Sequence, residues 1–463
     1  MEKSKLAQLL LSFSKEELRE LSKFAATPFF NPRPEAAALL RVLSKTLLAG
    51  KPLPNKEQLF HQIFDKDTFD DHRVRMAMAA LLKTTEKYLA VQDFLLDKPA
   101  YQLRLSKVLQ TRNLPAQAKT AWQEGFATLE QHTLRNAAYH YDFYRFEEER
   151  YRVALDTTAA ADADLQALSD QLDTAVLSRK LWQGCFLLAH QARYNATCDF
   201  GFLNQILPFA EKYLHLPAIS IYYHCYLALT KPSESNHFQS FKKDLLRYDA
   251  LFPPDELRDL YILAINFCTR RYNEGDLSFL RDQLDLYKIG FDKNYFRSEG
   301  VLSRFTYLNA ATIGLVARQF DWVEHLIKNQ RQYLEPAYQE SLYSFNLARL
   351  EYQKGNFGQA LQLLQLAEYK ETMLALAAKT IQLKIYYESD EYDLLESHLQ
   401  AIAAFIRRKK VMGYHRENYL NLVYFVRKLL EMNPLDKKAK QTFRETVAQT
   451  KPLAEKEWLL AQV

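Results

Sequence analysis

The chain has 463 residues, with 61 lysines and arginines against 56 aspartates and glutamates, and a formal net charge of +5. Hydrophobic residues make up 48% and charged residues 25%, which is typical of folded proteins and excludes a chain dominated by disorder. Only 11 residues are glycine, which argues against tight β-hairpins and against a glycine-rich phosphate loop. We therefore predict an all-α fold of helices joined by short turns.

The first 110 residues are predicted to form an N-terminal helical domain. Ser14 to Glu17 and Asn55 to Gln58 both have the form of a capping box, in which the first and fourth side chains satisfy each other's backbone amides. Each box is expected to open a helix. The apolar run before Lys15 is too short for a secretory signal, and no stretch is long and apolar enough for a membrane span. We expect a cytoplasmic protein.

Residues 111–200 are predicted to form long connecting helices. Carboxylates are dense at 64–72 and at 146–152, and we interpret both clusters as solvated helix faces rather than paired catalytic acids. A hydrolase of the helical-toroid type would require a buried acid pair facing a cavity. The four cysteines have no C-x-x-C spacing and lie among apolar residues, which favours reduced, buried thiols over a metal site.

Residues 201–406 are predicted to form an array of antiparallel helix pairs. In "LARLEYQKGNFGQALQLLQLA", Gly355 should end one helix in the left-handed conformation that glycine adopts without steric cost. Ala348, Ala360 and Ala367 should allow the two helices to cross closely. Gly358 is expected at the surface, at the start of the second helix.

The spacing of small and aromatic residues in this stretch resembles the tetratricopeptide repeat. The aromatic landmark recurs at Phe320, Phe357 and Tyr392, close to the repeat length of that family. Segments along most of the chain also resemble an uncharacterised bacterial family of helical-repeat proteins, for which no activity is known to us. The resemblance implies a right-handed superhelical array of helix pairs, an α-solenoid, preceded by the N-terminal helical region.

In such an array the first helices of successive pairs line a concave groove. Aromatic and cationic side chains together suit a peptide or protein segment of acidic character. Arg349 and Lys384 are expected to be accessible on one face, although Tyr352 and Tyr387 have the alternative interpretation of packing against adjacent repeats. The predicted groove residues are Phe305, Leu308, Thr312, Phe345, Arg349, Tyr352, Lys384 and Tyr387.

Residues 407–463 are predicted to form a basic helical cap. From 401 onward there are 13 lysines and arginines against 6 aspartates and glutamates. The basic residues of this region could contact nucleic-acid phosphates, but cations at the end of a helix are more typical of a solvated terminus. The basic patch comprises Arg407, Arg408, Lys409, Lys410 and Arg416.

These observations favour a non-catalytic scaffold or adaptor that binds a protein or peptide. A nucleic-acid-associated regulator that uses the basic patch is the alternative. The chain contains no metalloprotease, P-loop, dinucleotide-binding or serine-hydrolase motif, so we expect no enzymatic activity, no cofactor and no metal.

Overall fold

The computed structural model describes residues 4–64, 68–155, 164–366, 368–408, 413 and 415–463, and they form an all-α protein, as predicted. Two compact units, Met1–Lys180 and Leu181–Val463, divide the chain. The division falls inside a long helix, and the boundaries at 110, 200 and 406 stay predictions. The boundary at 110 separates two helices that pack closely on each other, because the turn between them closes a hairpin.

The first unit is built from eight helices and the beginning of a ninth within the described residues. These are α1 (Lys5–Leu11), α2 (Lys15–Ala25), α3 (Pro34–Leu48), α4 (Lys56–Ile63), α5 (Asp71–Leu96), α6 (Lys98–Thr111), α7 (Pro115–Gln131), α8 (Ala137–Leu155) and α9 (Leu165–Tyr194), which continues into the second unit.

Helices of the first unit begin where the sequence indicates. The Ser14 hydroxyl accepts a hydrogen bond from the Glu17 amide at 3.1 Å, and Asn55 accepts one from the Gln58 amide at 2.8 Å. Both return bonds are also present, so both predicted capping boxes are confirmed. Leucines of α1 to α4 bury against α5, while α6, α7 and α8 enclose Phe146.

The interpretation of the 146–152 cluster as a solvated face is wrong for two of its acids. Glu147 and Glu149 are buried, because α8 packs against α6 and α7. Glu149 forms ion pairs with Lys107 of α6, at 3.5 Å, and with Arg152. Two cationic partners therefore compensate the charge of Glu149.

The second unit continues with helices and one small hairpin. Its helices are α10 (Leu203–Ala210), α11 (Pro217–Thr230), α12 (Ser235–Arg247), α13 (Pro254–Asn273), α14 (Phe279–Asp292), α15 (Arg304–Val316), α16 (Phe320–Gln330), α17 (Gln339–Gln353), α18 (Phe357–Leu366), α19 (Thr372–Glu388), α20 (Tyr392–Arg408), α21 (His415–Glu431), α22 (Lys437–Gln449) and α23 (Lys456–Ala461). Strands β1 (Arg297–Ser298) and β2 (Val301–Leu302) pair antiparallel between α14 and α15.

Consecutive helices from α11 to α20 pack as pairs. Each of α11, α13, α15, α17 and α19 contacts the helix that follows it, and α11 also contacts α13, α15 contacts α17, and α17 contacts α19. We call the odd-numbered members of this series the first helices. The contacts among α15, α17 and α19 bring side chains from three successive pairs together.

Four of these pairs share the same turn; in the pair of α13 and α14, Gly275 has φ +102° and the Asp276 amide donates to the Arg271 carbonyl at 3.1 Å. Gly355 has φ +81°, the left-handed conformation predicted for it, and the Asn356 amide donates to the Glu351 carbonyl at 2.9 Å. Arg318 and Asp390 hold the equivalent positions with φ +53° and +57°. In both turns the amide of the following residue donates to the carbonyl five residues before it, at 2.9 Å. The repeated turn supports the predicted register of the helix pairs.

Replacing Ala360 by phenylalanine should destabilise the best-formed pair. Ala360 has no exposed surface in α18, which packs on α17, so a ring there would overpack the crossing and cost about 1–3 kcal/mol. The control is Gly358→Ala, because a Cβ at Gly358 would have no atom within 4 Å. Thermal unfolding should show a lowered melting temperature for the first variant only; equal melting temperatures would contradict the assigned register.

Candidate functional site

The predicted groove residues lie on three neighbouring first helices. Helix α15 carries Phe305, Leu308 and Thr312. Helix α17 carries Phe345, Arg349 and Tyr352, and α19 carries Lys384 and Tyr387. We call the eight residues together the first-helix face. The Arg349 guanidinium donates to Thr312 Oγ1 at 3.0 Å, and the Tyr352 hydroxyl donates to Glu388 of α19 at 2.6 Å. Direct hydrogen bonds therefore connect the three helices along this face.

The α15 end of the face is accessible. Phe305 is 60% exposed, and Leu308 and Thr312 are partly exposed. The Arg304 guanidinium lies 4.8 Å from the centre of the Phe305 ring and also pairs with Glu371 at the start of α19. Arg304 was not among the predicted residues. Aromatic residues and arginine are enriched at protein interfaces relative to the rest of the surface.

Arg349 lies at the centre of the face and is partly buried. Its guanidinium donates to the side-chain oxygens of Thr312 and Asn346, at 3.0 and 3.3 Å, and among the described residues no carboxylate lies within ion-pairing distance. Desolvation lowers the pKa of Arg349 to about 10, an effect opposed by the negative charge of Glu455. Arg349 therefore remains protonated at neutral pH, with only neutral acceptors in contact.

The prediction that both cations are solvent-accessible is wrong for Lys384 and holds only in part for Arg349, which is partly buried. The Lys384 ammonium group lies 2.7 Å from Glu455 Oε2, and only 14% of its side chain is exposed. It also lies 5.4 Å from the centre of the Tyr352 ring and 5.7 Å from that of Trp458. The physical reason is that a segment far along the chain folds onto this position and supplies both the carboxylate and a second ring.

The remaining aromatic residues of the face pack against the protein. Phe345 is buried, so it offers no surface for a ligand. The Tyr352 ring stacks on Phe357 at 5.8 Å, and the Tyr387 ring meets Trp458 edge-on at 5.4 Å. The alternative interpretation of the two tyrosines as packing residues is thus supported by their contacts, while Phe305 is the accessible aromatic side chain of the face.

Residues 451–463, which we call the C-terminal segment, cover the α19 end of the face. Trp458 donates from its indole nitrogen to Glu388 Oε1 at 2.6 Å, the oxygen that also accepts from Tyr352. Neither Glu455 nor Trp458 was predicted as a site residue. The only available signal was a tryptophan, one of four in the chain, in the short amphipathic run "EKEWLL".

The basic patch is described only in part, because Lys409 and Lys410 lie outside the described residues. Arg407 and Arg408 end α20 and are exposed, as is Arg416 near the start of α21. An Arg416 guanidinium nitrogen lies 3.5 Å from the Arg407 carbonyl oxygen. These positions agree with a solvated helix end, and the nucleic-acid alternative stays a prediction.

The four cysteines are free thiols. Cys185, Cys225 and Cys268 are buried, as predicted, whereas Cys198 is partly exposed. Burial raises the pKa of Cys185 and of Cys268, so both remain protonated at neutral pH. Across the described parts of the chain, no group of three or more histidine, cysteine, aspartate or glutamate side chains could hold a metal ion.

A scan against protein-family models finds no match to this chain, and a search among curated proteins finds no significant relative. The resemblance to the tetratricopeptide repeat therefore stays a prediction. Of the described helices, none combines the length and apolar character needed to cross a bilayer.

Proposed function

We propose that the protein is a non-catalytic scaffold whose first-helix face binds a protein or peptide segment of acidic character. In this proposal the helix pairs stack as a right-handed α-solenoid and the first helices line its concave side. The repeated turn and the contacts between alternate helices support this arrangement.

The observation that carries the proposal is the environment of Arg349, a desolvated cation whose hydrogen-bond acceptors, Thr312 and Asn346, are both neutral. Arg349 and Lys384 occupy neighbouring helices, and one carboxylate, from Glu455, pairs with Lys384 while also acting on Arg349 at longer range. A desolvated cation with neutral acceptors alone gains from an added carboxylate, because charge-assisted hydrogen bonds are stronger than neutral ones. Phe305 supplies an accessible apolar anchor on the same face.

The test begins with the selection, from a displayed library of short random peptides, of those that bind the full chain. Affinities of the selected peptides are then measured by fluorescence anisotropy for the wild type and for Phe305→Ala. We expect at least tenfold weaker binding to the variant, about 1.4 kcal/mol, because exposed aromatic anchors dominate the binding energy of such surfaces.

A matched control is available in α10. Phe209 is 59% exposed, against 60% for Phe305, and lies near the cationic Lys212, as Phe305 lies near Arg304. The Phe209→Ala variant should bind the selected peptides as the wild type does. Equal affinities for all three proteins would overturn the assignment of the binding surface to the first-helix face.

A further inference from the structure

Two hydrogen bonds hold the C-terminal segment on α21, and both involve residues just before the short helix α23. The Asn421 side chain donates to the Pro452 carbonyl at 2.8 Å, and the Ala454 amide donates to the Asn418 carbonyl at 3.3 Å. Both partners lie on α21. These bonds direct the following residues toward α19 and the first-helix face.

Glu455 is the first residue of the segment to reach the face. Its backbone lies in the left-handed region, with φ +54°, which is unfavourable for a residue with a side chain and is usually taken by glycine. Glutamate at this position nevertheless places its carboxylate 2.7 Å from Lys384. The chain thus accepts an unfavourable backbone conformation at the residue that neutralises the cation of the face.

Trp458 completes the contact three residues later. Its ring meets Tyr387 edge-on, and its indole nitrogen donates to Glu388. Lys384 is then flanked by the rings of Tyr352 and Trp458. Glu455 and Trp458, with two residues between them, therefore contact the cation of Lys384, the carboxylate of Glu388 and the ring of Tyr387.

Beside the packing of Tyr387 and Trp458 against the core of α19 to α23, the segment makes two charge-assisted contacts, Glu455 with Lys384 and Trp458 with Glu388. They join residues about 70 positions apart, and Glu455 and Trp458 both keep accessible surface. Leu459 is fully buried in the apolar core of α19 to α23 and anchors the segment beside the face. The anchored segment is thus present at high effective concentration, which disfavours any competing ligand.

We propose that the C-terminal segment is a tethered occupant of the first-helix face, and that the partner is a protein segment with the same pattern, an acid followed three residues later by an aromatic residue. This inference rests on the proposed function and specifies its ligand. A partner of this chemistry would replace Glu455 at Lys384 and Trp458 at Tyr387.

The test uses a fluorescent synthetic peptide of residues 449–463 and the full chain. In the variant Glu455→Gln/Trp458→Phe the segment loses its charge and its indole donor but keeps similar volume and Leu459, so the fold is retained. We expect this variant to bind the peptide at least fivefold more tightly than the wild type does. Glu457→Gln, in the same short helix and exposed, is the control and should bind as the wild type.

The specificity of the site is tested by two further measurements. The same peptide with Gln and Ala in place of its acid and tryptophan should not bind, and adding Lys384→Met to the double variant should abolish the gain in affinity. Retention of the gain in the Lys384→Met background would overturn the proposal, as would formation of a dimer by exchange of the segment between two copies of the chain.

The outcomes separate this inference from the proposed function. If the 449–463 peptide binds no variant, or binds the wild type and the double variant equally, while selected peptides still depend on Phe305, only the tethered-occupant inference fails. If neither kind of peptide binds through the first-helix face, both fail. Circular dichroism and melting temperature of the double variant confirm that it is folded before binding is compared.

Discussion

Replacing Phe238 by alanine should lower the free energy of unfolding of the second unit by about 3–5 kcal/mol, the range typical of a deleted core phenylalanine. Phe238 of α12 has no exposed surface. Its ring stacks on Phe267 of α13 at 4.7 Å and meets Phe279 of α14 edge-on at 5.4 Å. The side chain therefore joins two consecutive helix pairs, and its loss leaves a cavity between them.

Denaturant unfolding followed by circular dichroism measures this effect. Phe209→Ala serves again as the comparison, because a 59% exposed ring away from the core should change the unfolding free energy by less than about 0.5 kcal/mol. If both variants unfold at the same denaturant concentration, the packing assigned to α12, α13 and α14 is incorrect.

Reversing Lys384 to glutamate should release the C-terminal segment from the first-helix face. The new carboxylate would lie opposite Glu455 and below Trp458, so that an ion pair becomes a repulsive contact and the cation between two rings is lost. Trypsin cleavage after Lys456 should then be at least about tenfold faster, because proteolysis follows the population of the open segment.

Lys379→Glu provides the matched control on the same helix. Lys379 is a partly buried lysine of α19 whose ammonium group lies 5.8 Å from the Phe405 ring, away from the C-terminal segment. Cleavage after Lys456 should be unchanged in this variant. Equal acceleration in both variants would show that the loss of either lysine loosens α19 and would contradict a specific role for Lys384.

Local features of the fold were predictable because they depend on neighbouring residues. The capping boxes at Ser14 and Asn55 and the left-handed Gly355 follow from side-chain chemistry within one helical turn. The equivalent turns at Arg318 and Asp390 are not marked by glycine, so the sequence alone does not reveal their conformation. Their register follows only from the spacing of aromatic residues.

Features that depend on distant partners were not predictable from local pattern. The burial of Glu149 requires Lys107 from another helix, and the pairing of Lys384 requires Glu455, 71 residues later in the chain. Sequence position placed Arg349 and Lys384 on neighbouring first helices, but it could not indicate which of the two already has an anionic partner. The exposure of Phe305 could not be predicted for the same reason, because it depends on which neighbouring helices cover α15.

The most direct test of the central claim is amide hydrogen exchange of the full chain with and without a saturating peptide selected for binding. We expect the peptide to slow exchange in α15, α17 and α19 and, if it displaces the C-terminal segment, to accelerate exchange in residues 453–463. Slowed exchange confined to α16, α18 and α20, or to helices of Met1–Lys180, would contradict the first-helix face as the binding surface.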